Sequence, residues 1–446
     1  MERCLMENLG EQKGQGVFIS GKIAAVRDHG KLLFIDLYDR TGSVQCFVPG
    51  SHSMFAEAQK LSPESVLTLT GKVQERPEKN RTEGLNGDVE FVVEELTVLA
   101  KAQELPFDLD MADLNLDTRF DYRPLTLRRS DDRAVFRVQA LIAQGFRDYL
   151  TSQGFVEFQA PKIVGGDAEG GAEVFPVDYF DVKASLATSP QLYKQIMVGV
   201  FERAFCIGNV FRAEKHSTSR HLNEYTSMDF EMGYITDHTD VTSMLEGVVR
   251  HMVATVAEKG ERELAVLGAA LPTFPEKPFP IVKLVEAQEI IKKEFGDDCV
   301  GEPDLSPEHE RQLCEYALKE HGSDCIFVTH YPTEKRPWYT YDDADDPGYT
   351  KSFDLLFRGV EITSGGQRVH EYDALVRKIK EKLPNIDPEK EFGFYLQAFQ
   401  YGMPPHGGMG LGLERFTAKI LGLANAKEAA IFPRDRNRID IRLYEQ

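Results

Sequence analysis

From residue 15 to about 100 the chain is a series of short apolar runs parted by turn residues. VFISGKIAAVRD, KLLFIDLYDRTGSVQCFV, SVLTLTGKVQER and DVEFVVEELTVLA are rich in Val, Ile, Leu and Phe, and Gly30, Gly42, Gly50 and Gly87 punctuate them. Such runs predict strands. Five short strands in under a hundred residues suit a small closed barrel, of which the OB-fold is the common form. A small barrel with no nucleic-acid role fits the same pattern. Residues 104–132 differ: Pro106, Pro124, many charges and weak periodicity mark a hinge or linker with some helix.

The period then changes. In DDRAVFRVQALIAQGFRDYLTSQGF, residues Val135, Val138, Leu141, Ile142, Phe146 and Leu150 recur at three- and four-residue steps. This predicts an amphipathic helix that ends at Gly154, before a strand in FVEFQAPKI. Further strands are expected at 203–211, 224–235, 324–331, 352–362, 367–371 and 408–412. Helices are expected at 239–258, 281–295, 306–321, 371–382, 388–401 and 413–421. The two kinds of element do not alternate regularly. The pattern therefore predicts an α+β chain: a barrel at 1–103, a linker at 104–132, and an antiparallel sheet flanked by helices at 133–446.

Composition narrows the function classes. The 446 residues are 42 % hydrophobic and 28 % charged, ordinary for a globular protein of two or three domains. No apolar run approaches the roughly 20 residues that span a bilayer. The start, MERCLMENLGEQKG, lacks an apolar core and a small-residue cleavage site, so a cytoplasmic location is expected. Six cysteines without a CxxC pair argue for reduced thiols and against zinc. A net charge of −20 disfavours broad attraction to nucleic acid or membrane. An RNA partner would have to be met by a local basic face.

Four stretches carry candidate chemistry. In FRAEKHSTSRHLNEYTSMDFEMGYI (211–235), Arg212 and Arg220 sit among Glu214, Glu224, Asp229 and Glu231. Either these charges neutralise one another on a solvated hairpin, or the carboxylates hold the arginines ready for a ligand such as phosphate. In GGMGLGLERFTAKILG (407–422), glycines precede Glu414, Arg415 and an amphipathic helix. Glycine lets a backbone approach a nucleotide closely, although a tight strand-to-helix turn needs the same residues. In FDLLFRGVEITSGGQRVHEYDAL (353–375), Glu361 and Ser364 offer hard oxygens suited to Mg²⁺ beside phosphates, and Arg368 is a candidate for a carboxylate. The alternative is a polar sheet edge. In LATSPQLYKQIM (186–197), Gln191 and Lys194 open a helix after Ser189-Pro190.

Together these stretches resemble the class II aminoacyl-tRNA synthetases. FRAE…RHLNEYTSMDFEM looks like motif 2 of that class and GMGLGLERF like motif 3. The helix–strand unit ending in Pro161 looks like motif 1, which lies at the dimer interface in that family. Within the class, SPQLYKQ, AEGGAEVF, ITSGGQRVH and YGMPPHGGMGLGLER are similar to the aspartyl-tRNA synthetases of the archaeal and eukaryotic type. The region 239–335 is too short for the large insertion of the usual bacterial form. The resemblance covers nearly the whole chain.

The resemblance implies an OB-fold anticodon-binding domain, a class II catalytic domain, and ATP-dependent activation of L-aspartate followed by transfer to tRNA(Asp). It implies that Arg212 bridges the aspartate carboxylate and the α-phosphate, and that Arg415 holds the ATP tail beside Gly412, Leu413 and Glu414. Glu214 would orient the adenine end, Tyr225 would stack on the base, Arg220 and His221 would reach the γ-phosphate, and Ala213 and Leu222 would complete the ATP site. Mg²⁺ would sit on Glu361 and Ser364, with Asp354 a further candidate. Lys194 and Arg368 would take the aspartate side chain and Glu169 its α-ammonium. Gln191, Leu192, Tyr193 and Ser364 would complete that site. In the barrel, Phe34 would stack on an anticodon base, Gln45 would read a base edge, Glu90 is a third anticodon candidate, and Arg27 would touch phosphate. The implied partners are ATP, aspartate, tRNA and a second copy of the chain, with neither membrane nor DNA. Relatives that reject tRNA(Asn) often carry Trp where this chain has Ala24, which leaves charging of tRNA(Asn) open. An asparaginyl enzyme is the alternative. A non-catalytic RNA-binding paralogue should lack Arg212, Glu361 or Arg415, and all three are present.

Overall fold

The computed structural model describes residues 2–165, 173–215, 218, 220–440 and 442–443. They form two compact units, Met1–Ala112 and Asp113–Gln446. The segment 104–132 is thus shared. Its short helices Leu116–Asp121 and Arg123–Thr126 belong to the second unit. There the buried guanidinium of Arg123 donates to Asp132 at 2.8 Å and to the carbonyls of Ala430 and Ile431.

The first unit is a closed barrel of β1 (Gly16–Asp28), β2 (Leu32–Tyr38), β3 (Ser43–Pro49), β4 (Val66–Glu75) and β5 (Val89–Ala100), in the order β1-β2-β3-β5-β4. Strand alternation explains its core. Leu33, Ile35 and Leu37 point inward, while Phe34, Asp36 and Tyr38 between them are only partly covered. The β1–β2 register shifts between Ile23 and Ala25, which places Ala24 at a bulge.

The second unit is built on an eight-stranded sheet among the described residues. Its strands in chain order are β6 (Val156–Glu157), β7 (Arg203–Phe211), β8 (Glu224–Gly233), β9 (Ile281–Lys283), β10 (Cys325–Thr329), β11 (Ser352–Phe357), β12 (Val360–Arg368) and β13 (His406–Gly412). They lie in the order β9-β10-β11-β12-β13-β8-β7-β6. The centre is antiparallel, as the pattern predicts, and only the edge pairs β9–β10 and β6–β7 are parallel. Three expectations need correction. The single strand expected at 352–362 is a hairpin, turned at Arg358 and Gly359 with φ of 45° and 83°. The residues expected as a separate strand from 367 are in part the end of β12. The helix expected from 281 begins at Leu284, because Ile281–Lys283 is drawn into the sheet beside β10.

Helices cover the sheet. Helix α1 (Ser130–Ser152) buries Val138, Ile142, Phe146 and Leu150, the stripe its periodicity predicts. It packs against α2 (His238–Lys259), which contributes Leu245, Val249 and Met252 to the same core. The two helices approach so closely that a Cβ on Gly145 would stand 3.0 Å from the Met252 Cα. This packing fixes the sheet from behind and leaves its central strands free to carry polar side chains.

Candidate active site

A cavity of about 400 Å³ opens over the central strands, within the range of small-molecule sites. At its floor lie three buried charges, Lys194, Asp229 and Arg368, with the buried Glu231 behind them. Lys194, on the helix Gln191–Phe201, donates to Asp229 at 2.8 Å and to the Met409 carbonyl at 3.0 Å, and lies 3.5 Å from Glu231. Arg368, at the end of β12, donates through Nε to Glu231 at 2.8 Å and through Nη2 to the Gly408 carbonyl at 2.9 Å. Burial raises the cost of ionising Glu231, but Arg368 and Lys194 more than offset it and hold its pKa below the ordinary value. Asp229 and Glu231 alternate along β8 and so share a face.

Two glycines of β13 stand opposite the carboxylates of β8. Gly410 pairs with Asp229 and Gly408 with Glu231 across β8 and β13. A Cβ on Gly410 would lie 2.8 Å from the Asp229 carboxylate, and one on Gly408 would clash with both the Phe230 carbonyl and the Glu231 carboxylate. These two glycines make room for the carboxylates, and Gly410 also lines the cavity. Around Gly412, which lines the cavity, an added Cβ meets no protein atom closer than 3.8 Å.

One end of the cavity is arginine-rich. Arg212 lies over the Tyr225 ring, 5.7 Å from its centre. Beside it His221 stands 3.5 Å from Glu214. Arg415 donates to the Glu361 carbonyl at 2.9 Å, and Arg220 pairs with Glu310 at 3.4 Å. Both Glu414 oxygens accept from the Thr226 amide, at 3.1 and 3.0 Å. Burial pushes the Glu414 pKa up to about 7. All of these except Glu310 and Thr226 line the cavity, together with Gln191 and Leu222.

Between the two ends lies a patch of hard oxygens. The Ser364 hydroxyl donates to Glu361 at 2.7 Å, and Asp354 is the strand partner of Ser364. Asp354 accepts from Arg336 at 2.7 Å through Oδ2, while its buried Oδ1 has no hydrogen-bond partner. Burial, and then the charge of Asp354, raise the pKa of Glu361. An orphaned carboxylate oxygen beside a second carboxylate fits a divalent cation. Among the described residues no cluster of three His, Cys, Asp or Glu side chains could hold a metal alone. Phosphate oxygens would have to supply further ligands.

Several expected site residues fall elsewhere. Leu192 and Leu413 are buried in hydrophobic clusters, so their side chains are core and only their backbones could serve a ligand. Tyr193 packs on Phe394, with ring centres 5.8 Å apart. Ala213 is held through its backbone, donating to the Glu173 carbonyl at 2.8 Å. Glu169 lies outside the described residues. Sequence reasoning missed Glu310 and Arg336. Glu310 caps the start of β12 by accepting from the Glu361 amide at 2.9 Å, and no motif marks it.

On the barrel, Arg27, Phe34, Gln45 and Glu90 lie on the neighbouring strands β1, β2, β3 and β5. Phe34 is half-buried between His29 and Phe47, each 5.7 Å away between ring centres. Arg27 forms a two-pronged pair with Asp36, which in turn is the strand partner of Gln45. Phe34 and Gln45 are only partly covered, so the outer face offers an aromatic platform with polar groups beside it.

Comparison with known proteins agrees with this geometry. Residues 115–436 match the family of class II tRNA synthetases (D, K and N), and residues 17–99 match the OB-fold nucleic acid binding domain. The chain is 46 % identical over 440 residues to the aspartate–tRNA(Asp/Asn) ligase of Thermus thermophilus, covering 98 % of this chain and 99 % of that one. It is 40 % identical over 435 residues to the aspartate–tRNA(Asp) ligase of Pyrococcus abyssi, covering 96 % and 97 %. Among solved structures, asparaginyl-tRNA synthetase from Pyrococcus horikoshii with asparaginyl-adenylate superposes with a TM-score of 0.89 at 30 % identity, covering 98 % and 99 %. Aspartyl-tRNA synthetase from Entamoeba histolytica gives 0.86 at 30 % identity, covering 98 % and 93 %.

Proposed function

Since the chain belongs to the class II tRNA synthetases of the aspartate, lysine and asparagine group, we propose that it joins L-aspartate to both tRNA(Asp) and tRNA(Asn). The reaction is that of an aspartate–tRNA ligase. The α-carboxylate of aspartate attacks the α-phosphorus of ATP, and pyrophosphate leaves. A ribose hydroxyl at the tRNA 3′ end then displaces AMP from the adenylate. The first nucleophile is already an anion, so that step needs no protein base. Positioning and charge neutralisation carry it.

The observation that carries the aspartate reading is the pair of buried cations at the cavity floor. Arg368 spends Nε and Nη2 on Glu231 and Gly408, which leaves its Nη1 hydrogens for a ligand carboxylate. Lys194 stands beside it, held by Asp229. The carboxylates lock both cations in place, and a ligand that accepts from both is favoured over an amide that must turn an NH₂ toward one of them. Arg212 and Arg415 would hold the phosphates. Glu361, Ser364 and Asp354 would hold Mg²⁺, which neutralises phosphate charge when bound. The exposed Val156 and Ile163, in and after the motif 1 segment, support a second copy as partner. Ala24 at its bulge supports tolerance of tRNA(Asn).

The fold does not separate aspartate from asparagine, because structures of both kinds superpose on it. Pyrophosphate exchange with aspartate, asparagine and lysine in parallel does. Exchange with aspartate alone is expected, and exchange with asparagine alone would overturn the reading. Charging of purified tRNA(Asp) and tRNA(Asn) tests the second half.

A further inference from the structure

Behind the cavity wall runs a chain of three side chains. His406, wholly buried at the start of β13, has its Nδ1 2.8 Å from the Pro404 carbonyl. Its Nε2 is 3.0 Å from the Gln195 amide nitrogen. The Oε1 of Gln195 accepts from the Nε2 of Gln191 at 3.0 Å. Gln191 lines the cavity, whereas Gln195 and His406 do not.

The direction of each bond follows from the one before. A carbonyl only accepts, so Nδ1 of His406 carries the proton. A neutral imidazole has one N–H, so Nε2 must accept, and Gln195 must turn its NH₂ toward it. Gln195 therefore shows its oxygen to Gln191, and Gln191 gives its NH₂ to Gln195. The Gln191 oxygen is left for the cavity. Burial keeps the imidazole neutral, its pKa pushed down to about 4 although Glu231 faces it; Arg368 and His370 also face it, and they favour the neutral form. Tyr395 packs beside Gln195.

We propose that His406 and Gln195 are positioning residues that fix the polarity of Gln191, so that its carbonyl oxygen accepts from the α-ammonium of aspartate. This rests on the aspartate reading above. The cavity floor supplies cations for carboxylates, and the one cationic group of the substrate needs an acceptor on the wall. A glutamine free to turn over would offer its NH₂ as readily and repel the ammonium.

The test compares aspartate with succinate, which keeps both carboxylates and lacks the ammonium. The wild-type enzyme gives a KM for aspartate in pyrophosphate exchange and an inhibition constant for succinate. Gln195→Leu should raise the aspartate KM about tenfold or more, the worth of a hydrogen bond to a charged group. It should leave the succinate constant and the ATP KM within about threefold of wild type. His406→Asn should act alike. Gln195→Glu, as the neutral acid, can donate to His406 and accept from Gln191, and should keep the discrimination. Parallel loss of aspartate and succinate binding in Gln195→Leu would overturn the relay, as would unfolding of both Gln195→Leu and His406→Asn. A wild-type enzyme inactive with aspartate overturns the parent reading instead, whatever the variants do.

Discussion

At the residue scale, charges that look self-cancelling in sequence are divided among separate tasks by the sheet. Asp229 and Glu231 face Lys194 and Arg368, while Arg212 and Arg415 lie at the other end of the cavity. Removing Arg368 should therefore have two effects. Arg368→Leu should abolish aspartate-dependent pyrophosphate exchange while ATP still binds, measured by nucleotide titration. It also strips Glu231 of its closest partner, and an uncompensated buried charge costs roughly 3–5 kcal/mol. A marked drop in melting temperature is expected, and Glu231→Gln in the same chain should restore much of the stability without the exchange. Near-normal exchange in Arg368→Leu would refute the assignment. The individual reactive side chains were legible in the sequence, because arginine, glutamate and glycine in apolar strands are costly unless used. Their pairings were not. Arg368 meets Glu231 across 137 positions because β13 lies between β12 and β8, a strand order no local pattern encodes.

At the element scale, legibility depended on how loudly a segment marks its ends. Helix α1 shows its stripe plainly, and the structure buries it. The hairpin at 352–368 does not, because FDLLFRGVEI reads as one apolar run and only Arg358-Gly359 breaks it. Glu310 was hidden for a related reason. The helix Pro307–His321 is so polar that its inward face is hard to distinguish, yet Glu310 is buried against β12. There it grips Arg220, the arginine expected to reach the γ-phosphate. If Arg220 serves ATP, that pair must open. Arg220 is about a third exposed, at 35 %, so the pair is worth no more than about 1 kcal/mol. Glu310→Gln keeps an acceptor for the Glu361 amide and removes the charge. The ATP KM should fall by about two- to fivefold, with the aspartate KM unchanged. A rise in the ATP KM would mean that Glu310 assists the nucleotide rather than holding its arginine back.

At the scale of the whole molecule, two units with separate cores divide the work between them. The barrel closes around Leu33, Ile35 and Leu37, so Phe34 on the opposite face is dispensable for that core. An aromatic within an apolar run such as KLLFIDLY is ordinarily a core residue. The strand position of Phe34 sets it outward, flanked by Phe47 and beside the strands that carry Gln45 and Glu90. Stacking of a base on an aromatic ring is worth about 1–3 kcal/mol. Phe34→Ala should therefore lower the efficiency of tRNA charging by about tenfold or more, mostly through the KM for tRNA. Adenylate formation, which involves only small molecules in the second unit's cavity, should be untouched. Pyrophosphate exchange and aminoacylation measured on the same preparation separate the two. Equal loss of both would mean that the substitution had unsettled the protein, and no loss of either would remove Phe34 from the RNA-binding face. Applied to tRNA(Asp) and tRNA(Asn) in turn, the same assay reads the specificity of the barrel. A platform that stacks bases without reading their edges should lose both substrates alike, leaving any discrimination to Gln45, Glu90 and the bulge at Ala24.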